Sequence, residues 1–231
     1  MKIAILGYGK MGKAIEQIAL ERGHSIVLKV NDSNTTYDIS KADIAIEFSV
    51  PKAALKNITN CFKNNVPVIS GTTGWLSQYN DVLNTCREHD GAFIYASNFS
   101  LSVNIFFQLN KQLANMMHRL EEYKVNIEEV HHTQKLDAPS GTAITLANGI
   151  IENSGYNNWS LTKQPKDDEI AIDAKRIERV PGTHTVDYSS TIDTISITHQ
   201  AHNRRGFALG AVIAAEWLKG KTGIFTMNDV L

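Results

Sequence analysis

Lys2-Ile3-Ala4-Ile5-Leu6-Gly7-Tyr8-Gly9-Lys10-Met11-Gly12 runs directly into Lys13-Ala14-Ile15-Glu16-Gln17-Ile18-Ala19-Leu20. The opening residues form a short apolar run of β-prone character, and the closing ones place apolar side chains at helical spacing. Between them stands a G-x-G-x-x-G turn. Strand, glycine turn and helix in this order form the setting in which a dinucleotide pyrophosphate is held. The glycines permit the tight turn, let the backbone approach the phosphates and bring helix and strand close together. Gly7, Tyr8, Gly9, Lys10, Met11 and Gly12 are therefore read as the cofactor-binding loop.

Outward from this loop the chain alternates. Strands are expected at Ser25 to Val30, Ile44 to Phe48, Val66 to Ser70 and Ala92 to Ala96, with helices starting at Pro51 and near Ser77. Short connections between alternating strands and helices make a doubly wound, Rossmann-like parallel sheet, whose ligands sit at the C-terminal strand ends. Asp32 follows the second strand. An acidic side chain there accepts hydrogen bonds from both ribose hydroxyls and repels a 2′-phosphate, which favours NADH over NADPH. The competing reading is a solvated turn aspartate in Asn31-Asp32-Ser33-Asn34, and Lys10 beside the phosphates blunts the preference. Gly71-Thr72-Thr73-Gly74 closes the fourth strand with small residues against which a ligand can lie.

The second part of the chain is organised around Glu128-Glu129-Val130-His131-His132-Thr133-Gln134-Lys135-Leu136-Asp137-Ala138-Pro139-Ser140-Gly141-Thr142-Ala143. Tyr123 to Val130 alternates as a strand and delivers the histidines at its end; Thr142 to Ile151 reads as a helix. A helix N-terminus offers unpaired N–H groups and about half a positive charge, so an anion is stabilised there. Gly141 lets the backbone come close, and Ser140 or Thr142 adds a hydroxyl. His131, His132 and Lys135 supply three potential cations, and histidine can also pass a proton near neutrality. His131 is read as a general acid with Lys135 as its partner donor. His132, Ser140, Gly141 and Thr142 are read as holding a substrate carboxylate. Glu129 either orients a histidine or makes a surface salt bridge. His184 either reaches this site or is an interior strand histidine.

A helix from Ser102 to about Arg119 carries a broad apolar face read as core. Residues 153–168 are polar and read as a loop. Strand-like segments at Ile170 to Ile177, His184 to Ser190 and Thr194 to Thr198 suggest a mixed or antiparallel sheet, and Ala208 to Leu218 is an apolar helix. A dinucleotide-binding domain is expected over the first hundred residues, and after it a smaller α+β domain with an open mixed sheet that carries the anion site.

The 231 residues carry 23 Lys and Arg against 24 Asp and Glu, a formal net charge of -1, so no basic excess points to nucleic acid or an anionic membrane. Anion binding must then be local. Cys61 and Cys86 have no metal-ligand spacing, which argues against a zinc site and fits a reducing compartment. The apolar run ahead of Gly7 is too short for a signal peptide or a membrane span. A cytoplasmic protein without a metal is the expectation.

The acidic-histidine stretch resembles the signature of the dihydrodipicolinate reductase family, Glu-x-His-His-x-x-Lys-x-Asp-Ala-Pro-Ser-Gly-Thr-Ala, which Glu129 to Ala143 matches. Ile46-Glu47-Phe48-Ser49-Val50-Pro51, Gly71-Thr72-Thr73-Gly74 and Ala96-Ser97-Asn98-Phe99-Ser100 are similar to the family's cofactor-side motifs. Many members carry G-x-x-G-x-x-G, one residue longer than the loop here. The resemblance implies cofactor roles for Gly71, Thr72, Thr73, Ala96, Ser97, Asn98 and Phe99, NADH or NADPH as cofactor, and reduction of a small cyclic dicarboxylate, 4-hydroxy-tetrahydrodipicolinate. It also implies that residues 207–231 return to the dinucleotide-binding domain of residues 1–100, and that residues 101–206 bind substrate and build a homotetramer on the second sheet. Two other readings remain beside it. One is an amino-acid dehydrogenase of the aspartate or diaminopimelate type, which shares the two-part design. The other is a non-catalytic NAD(P)-sensing module, against which stands the pair of proton donors His131 and Lys135.

Overall fold

The protein is described from a computed structural model that covers residues 1–31, 36–162, 164–203 and 205–231. Asp32, the expected ribose ligand, lies outside these residues. The chain forms two compact units, residues 1–101 with 205–231, and residues 102–204.

The first unit holds a six-stranded sheet of β1 (Lys2–Leu6), β2 (Ser25–Val30), β3 (Ile44–Glu47), β4 (Val68–Ser70), β5 (Ala92–Tyr95) and β11 (Gly223–Phe225), in the order β11-β5-β4-β3-β1-β2. Every pairing is parallel. Alternation along the strands feeds two cores. Ile3, Ile5, Ile44, Ile46, Ile69 and Ile94 pack against α1 (Lys10–Glu21) and α6 (Arg205–Leu218). Ala4, Leu6, Ala45, Val68 and Phe93 meet α2 (Pro51–Lys63) and α3 (Tyr79–Glu88) on the other face. Covering both faces is why these strands are continuously apolar. β11 has no signature in the sequence, because three residues show no periodicity; it joins the sheet beside β5.

The second unit is a five-stranded mixed sheet, ordered β10-β9-β6-β8-β7. Its strands are β6 (Lys124–His131), β7 (Asn158–Ser160), β8 (Glu169–Arg176), β9 (Thr183–Ser189) and β10 (Thr194–Gln200). β6 pairs parallel with β8 and antiparallel with β9. α4 (Leu101–Met117) and α5 (Gly141–Ile151) bury Phe106, Ala114, Leu146, Ala147 and Ile150 against Val125, Ile127, Ile170, Ile172 and Val186. The polar stretch 153–168 is not wholly loop. It contains β7, an edge strand whose Trp159 packs partly buried against this core while its register is fixed by β8.

Candidate active site

The burial of β6 alternates strictly: Val125, Ile127, Glu129 and His131 face the helices, and their neighbours face outward. A strand's side chains change face at each residue, so Glu129 is carried to the covered side by the same alternation that buries Val125 and Ile127. It is completely buried. The surface salt bridge considered for it is thereby ruled out. Oε1 of Glu129 accepts the Ser140 N–H at 3.0 Å and an Arg176 guanidinium N–H at 3.1 Å. Oε2 lies 3.2 Å from His131 Nδ1 and 3.7 Å from His184 Nε2. The His131 contact has ion-pair distance, but both its atoms lack an aligned hydrogen-bond partner. Burial alone would push the carboxyl up; His131, Ser140 and Arg176 outweigh it and hold it at about 2.

His184 is interior, as one of its two readings had it, and it also belongs to this cluster. The antiparallel register sets it directly opposite Glu129. Its ring lies 5.0 Å from that of His131, and Nε2 meets the Ser140 hydroxyl at 3.0 Å. Burial, reinforced by His131, lowers its pKa from 6.5 to about 3, so it is neutral at pH 7. Glu129, His131 and His184 each bring one ligand-type atom within 4.8 Å of the others, a spacing a metal ion would accept. Arg176 already balances the carboxylate, however, and Ser140 engages His184.

His132 lies one residue past the strand and is partly buried. Lys135 sits in the turn that follows, its Nζ 2.8 Å from both carboxylate oxygens of Asp137. Ser140 caps α5, its hydroxyl accepting the Ala143 N–H at 3.2 Å, and it is 2 % exposed. Expected to touch substrate, Ser140 is instead spent inside the protein: its N–H goes to Glu129 and its hydroxyl to Ala143 and His184. Gly141 is exposed, with nothing within 4 Å of where a methyl group would stand, and Thr142 follows it on the first turn. The helix start thus keeps an open face beside a buried, wired one. Gly182 lies along the His131 ring; a methyl group there would come to 3.2 Å from Nε2, so glycine leaves that nitrogen room.

In the first unit the glycine turn divides its labour. A methyl group on Gly7, whose φ is +101°, would lie 2.1 Å from the Phe48 carbonyl oxygen, and one on Gly12 would lie 2.3 Å from that of Gly7. These two glycines serve packing. Gly9 faces open space and forms the N-terminus of α1 with no side-chain cap and no acidic residue in the first turn. A cavity of about 590 Å³ opens there, lined among others by Gly7, Tyr8, Gly9, Asn31 and Lys52. Uncapped N–H groups, an exposed glycine and a cavity at the ends of β1 and β3 fit a dinucleotide phosphate. Lys10 is exposed, whereas Met11 packs partly into the core and Tyr8 donates its hydroxyl proton to Glu16.

At the end of β3, Glu47 is fully buried. It accepts from the hydroxyls of Ser49, Ser70 (2.7 Å) and Thr72 (2.9 Å) and from the Ser49 N–H (3.1 Å). Thr72 is therefore engaged beneath its loop, while Thr73 is exposed and Gly71 rests against the Phe48 ring. Past β5, Ser97 is exposed and Ala96 and Asn98 partly so; the Asn98 carboxamide oxygen accepts the Ser100 N–H at 2.9 Å. Phe99 departs from its expected place along the cofactor. Its ring is 1 % exposed and packs 5.6 Å from that of Phe48, supporting the turn from below. Glu47 and Arg176, to which the sequence alone assigns no role, are brought to these two sites by the fold.

Residues 1–99 match the family model described as dihydrodipicolinate reductase, N-terminus, and residues 102–231 match the model described as its C-terminus. The chain belongs to the dihydrodipicolinate reductase family. It is 61% identical to the 4-hydroxy-tetrahydrodipicolinate reductase of Christiangramia forsetii, covering 100% of this chain and 98% of that one. It is 37% identical to the enzyme of the same name from Methanoregula boonei, over 83% of this chain and 75% of the relative. Among solved structures, a dipicolinate-bound dihydrodipicolinate reductase from Paenisporosarcina sp. TG-14 shares the fold with TM-score 0.78 at 21% identity, covering 100% and 99% of the two chains. An aspartate dehydrogenase of Thermotoga maritima reaches TM-score 0.51 at 14% identity over 97% and 99%, a likeness of fold that the dehydrogenase reading shares. Family membership favours the reductase reading over both alternatives.

Proposed function

We propose that the protein reduces 4-hydroxy-tetrahydrodipicolinate to tetrahydrodipicolinate, with loss of water, in lysine and diaminopimelate biosynthesis. The observation that carries this reading is the end-to-end likeness, at 61% identity, to a reductase of that name. A nicotinamide cofactor belongs to it, and the open Gly9 turn with the cavity beside it supports dinucleotide binding in the first unit. When bound, the reduced nicotinamide supplies a hydride to an electron-poor ring carbon conjugated to an imine.

The chain's own residues do the rest. Gly141, Thr142 and His132 bind a substrate carboxylate at the start of α5, where backbone N–H groups and the helix dipole favour an anion. His131 gives the proton, its Nδ1 side set against Glu129. Lys135 donates beside it and stabilises charge that builds on the ring. A dipicolinate-bound relative supports a small dicarboxylate as the ligand. Asp32 favours NADH over NADPH. Ile195 on β10 and Ile192 in the turn before it are exposed, which supports assembly into a homotetramer through that sheet. The buried free thiols of Cys61 and Cys86 agree with a cytoplasmic setting. Among the described residues no helix is long and apolar enough to cross a membrane.

The deciding experiment follows oxidation of NADH and NADPH, separately, with freshly prepared hydroxy-tetrahydrodipicolinate. Rapid consumption, faster with NADH, is expected; no consumption of either by protein that binds cofactor overturns the reading. His131→Gln and Lys135→Ala should each lower kcat by roughly 100-fold or more while KM for cofactor stays unchanged. Unaltered turnover in both would remove these residues from the proton-donor role.

A further inference from the structure

Arg176 ends β8 directly opposite His131 in the parallel register with β6. Its guanidinium group donates to four acceptors. Nη2 reaches Glu129 Oε1 at 3.1 Å and the Asp137 carbonyl at 2.5 Å. Nε reaches the Lys135 carbonyl at 3.3 Å, and Nη1 the Lys175 carbonyl at 2.8 Å. One planar cation therefore joins three things: the buried carboxylate that contacts His131, the backbone of Lys135 itself, and the turn leading to Ser140. Glu129 extends the connection, since the oxygen that accepts from Arg176 also accepts the N–H of the residue capping α5. Among the described residues these contacts come from β6, β8 and the 132–140 turn, so no single element fixes the arrangement.

We propose that Arg176 is a positioning residue for the reduction: through Glu129 and the carbonyl of Lys135 it holds both proton donors and the start of the carboxylate-binding helix in one geometry. This rests on the roles assigned above to His131 and Lys135. The chemistry requires arginine. Its five donors lie in a fixed plane and serve several acceptors at set angles, whereas a lysine concentrates its donors on one nitrogen and cannot span Glu129, Lys135 and Asp137 together. The guanidinium is also the countercharge that lets a carboxylate remain ionised where water does not reach. Arg176 itself is only one-fifth exposed, and four of its five donors are occupied by protein acceptors rather than turned toward a ligand.

Steady-state kinetics of Arg176→Lys and Arg176→Ala test this on the full chain. Misplacing reacting groups by about 1 Å can cost on the order of 100-fold, so Arg176→Lys should lose between about tenfold and 100-fold in kcat. KM for the cofactor should not change. Guanidinium ion at tens of millimolar should restore part of the activity of Arg176→Ala, and equal sodium chloride should not. A role confined to stability would lower Tm without lowering kcat per folded molecule and without this rescue. The proposal is overturned if Arg176→Lys keeps kcat within about twofold, or if sodium chloride rescues as well as guanidinium. Arg176→Lys retains charge and bulk, so it decides the matter even if the alanine variant does not fold. Should His131→Gln and Lys135→Ala lose turnover while Arg176→Lys does not, only the positioning role fails; should those two retain turnover, the donor roles on which it rests fail while the reductase activity stands; and absence of turnover in the unaltered protein is what overturns the function reading.

Discussion

Glu47 and Glu129 are both completely buried in the C-terminal part of a strand, one in each unit, yet they are satisfied in opposite ways. Glu47 is ringed by neutral donors, three hydroxyls and a backbone N–H. Glu129 sits among an arginine, two histidines and the N–H of a helix cap. A ring of hydroxyls can rotate to suit a neutral side chain of the same shape; an arginine cannot cease to be a cation. The first carboxylate therefore shapes a loop, and the second organises a charged cluster whose members depend on one another.

The largest expected effect follows from that dependence. Glu129→Gln leaves Arg176 without its countercharge and should destabilise the protein by about 3–4 kcal/mol, toward the lower end for broken buried pairs because Arg176 is partly exposed. Glu47→Gln keeps an acceptor, and its amide can donate to hydroxyls that turn; about 1–2 kcal/mol is expected. Urea denaturation of the two variants measures both. Equal losses would erase the distinction between a neutral ring and an ionic cluster.

Acid titration sharpens the same contrast at a somewhat smaller scale. Glu129 has a folded pKa of about 2 against an ordinary 4.5, so its contribution is complete above pH 4.5 and is lost as pH falls toward 2. That loss amounts to about 3 kcal/mol at most. His184 moves earlier. Its folded pKa is lowered from 6.5 to about 3, so the unfolded chain takes up a proton that the folded chain refuses, and stability falls as pH drops below 6.5. Denaturant midpoints should therefore decline between pH 7 and 5.5 in the unaltered protein and in Glu129→Gln, but less in His184→Gln. Below pH 4.5 the unaltered protein should decline more steeply than Glu129→Gln. A single transition common to all three would mean that the cluster does not titrate as separate groups.

The contrast also shows what a sequence can disclose. The cofactor turn is contiguous: Gly7, Gly9 and Gly12 stand within six residues between a strand and a helix, so their joint meaning is local. The chain also displays Glu129, His131, Lys135 and Ser140 in one stretch, which is why their neighbourhood was legible. Arg176 and His184 join them only because β8 and β9 flank β6 in a particular register, and strand order is not written in any one segment. Glu47 needs Ser70 and Thr72, which arrive from the next strand. The burial of Glu129 is legible in the sequence, since Val125, Ile127, Glu129 and His131 share one parity. Ser140 and Phe99 were recognisable as site-adjacent, but which way a side chain is spent depends on neighbours brought by the fold. β7 and β11, three residues each, are too short to carry a pattern.

The smallest effect concerns the most conspicuous ion pair of the active-site turn. Lys135 holds both oxygens of Asp137 at 2.8 Å, and this contact lowers the Asp137 pKa. The Asp137 side chain is 60% exposed, however, and exposed pairs contribute roughly 0–1 kcal/mol. The backbone of Lys135 is held by something else, the Arg176 guanidinium on its carbonyl. Asp137→Asn should consequently change stability by less than about 0.5 kcal/mol and kcat by less than about threefold, with less effect still in high salt, where the native pair is already screened. Tm and kcat at low and high ionic strength measure this directly. A loss matching that of Arg176→Lys would mean that the turn is positioned by its exposed pair, and would move the organising role from the buried side of the cluster to its surface.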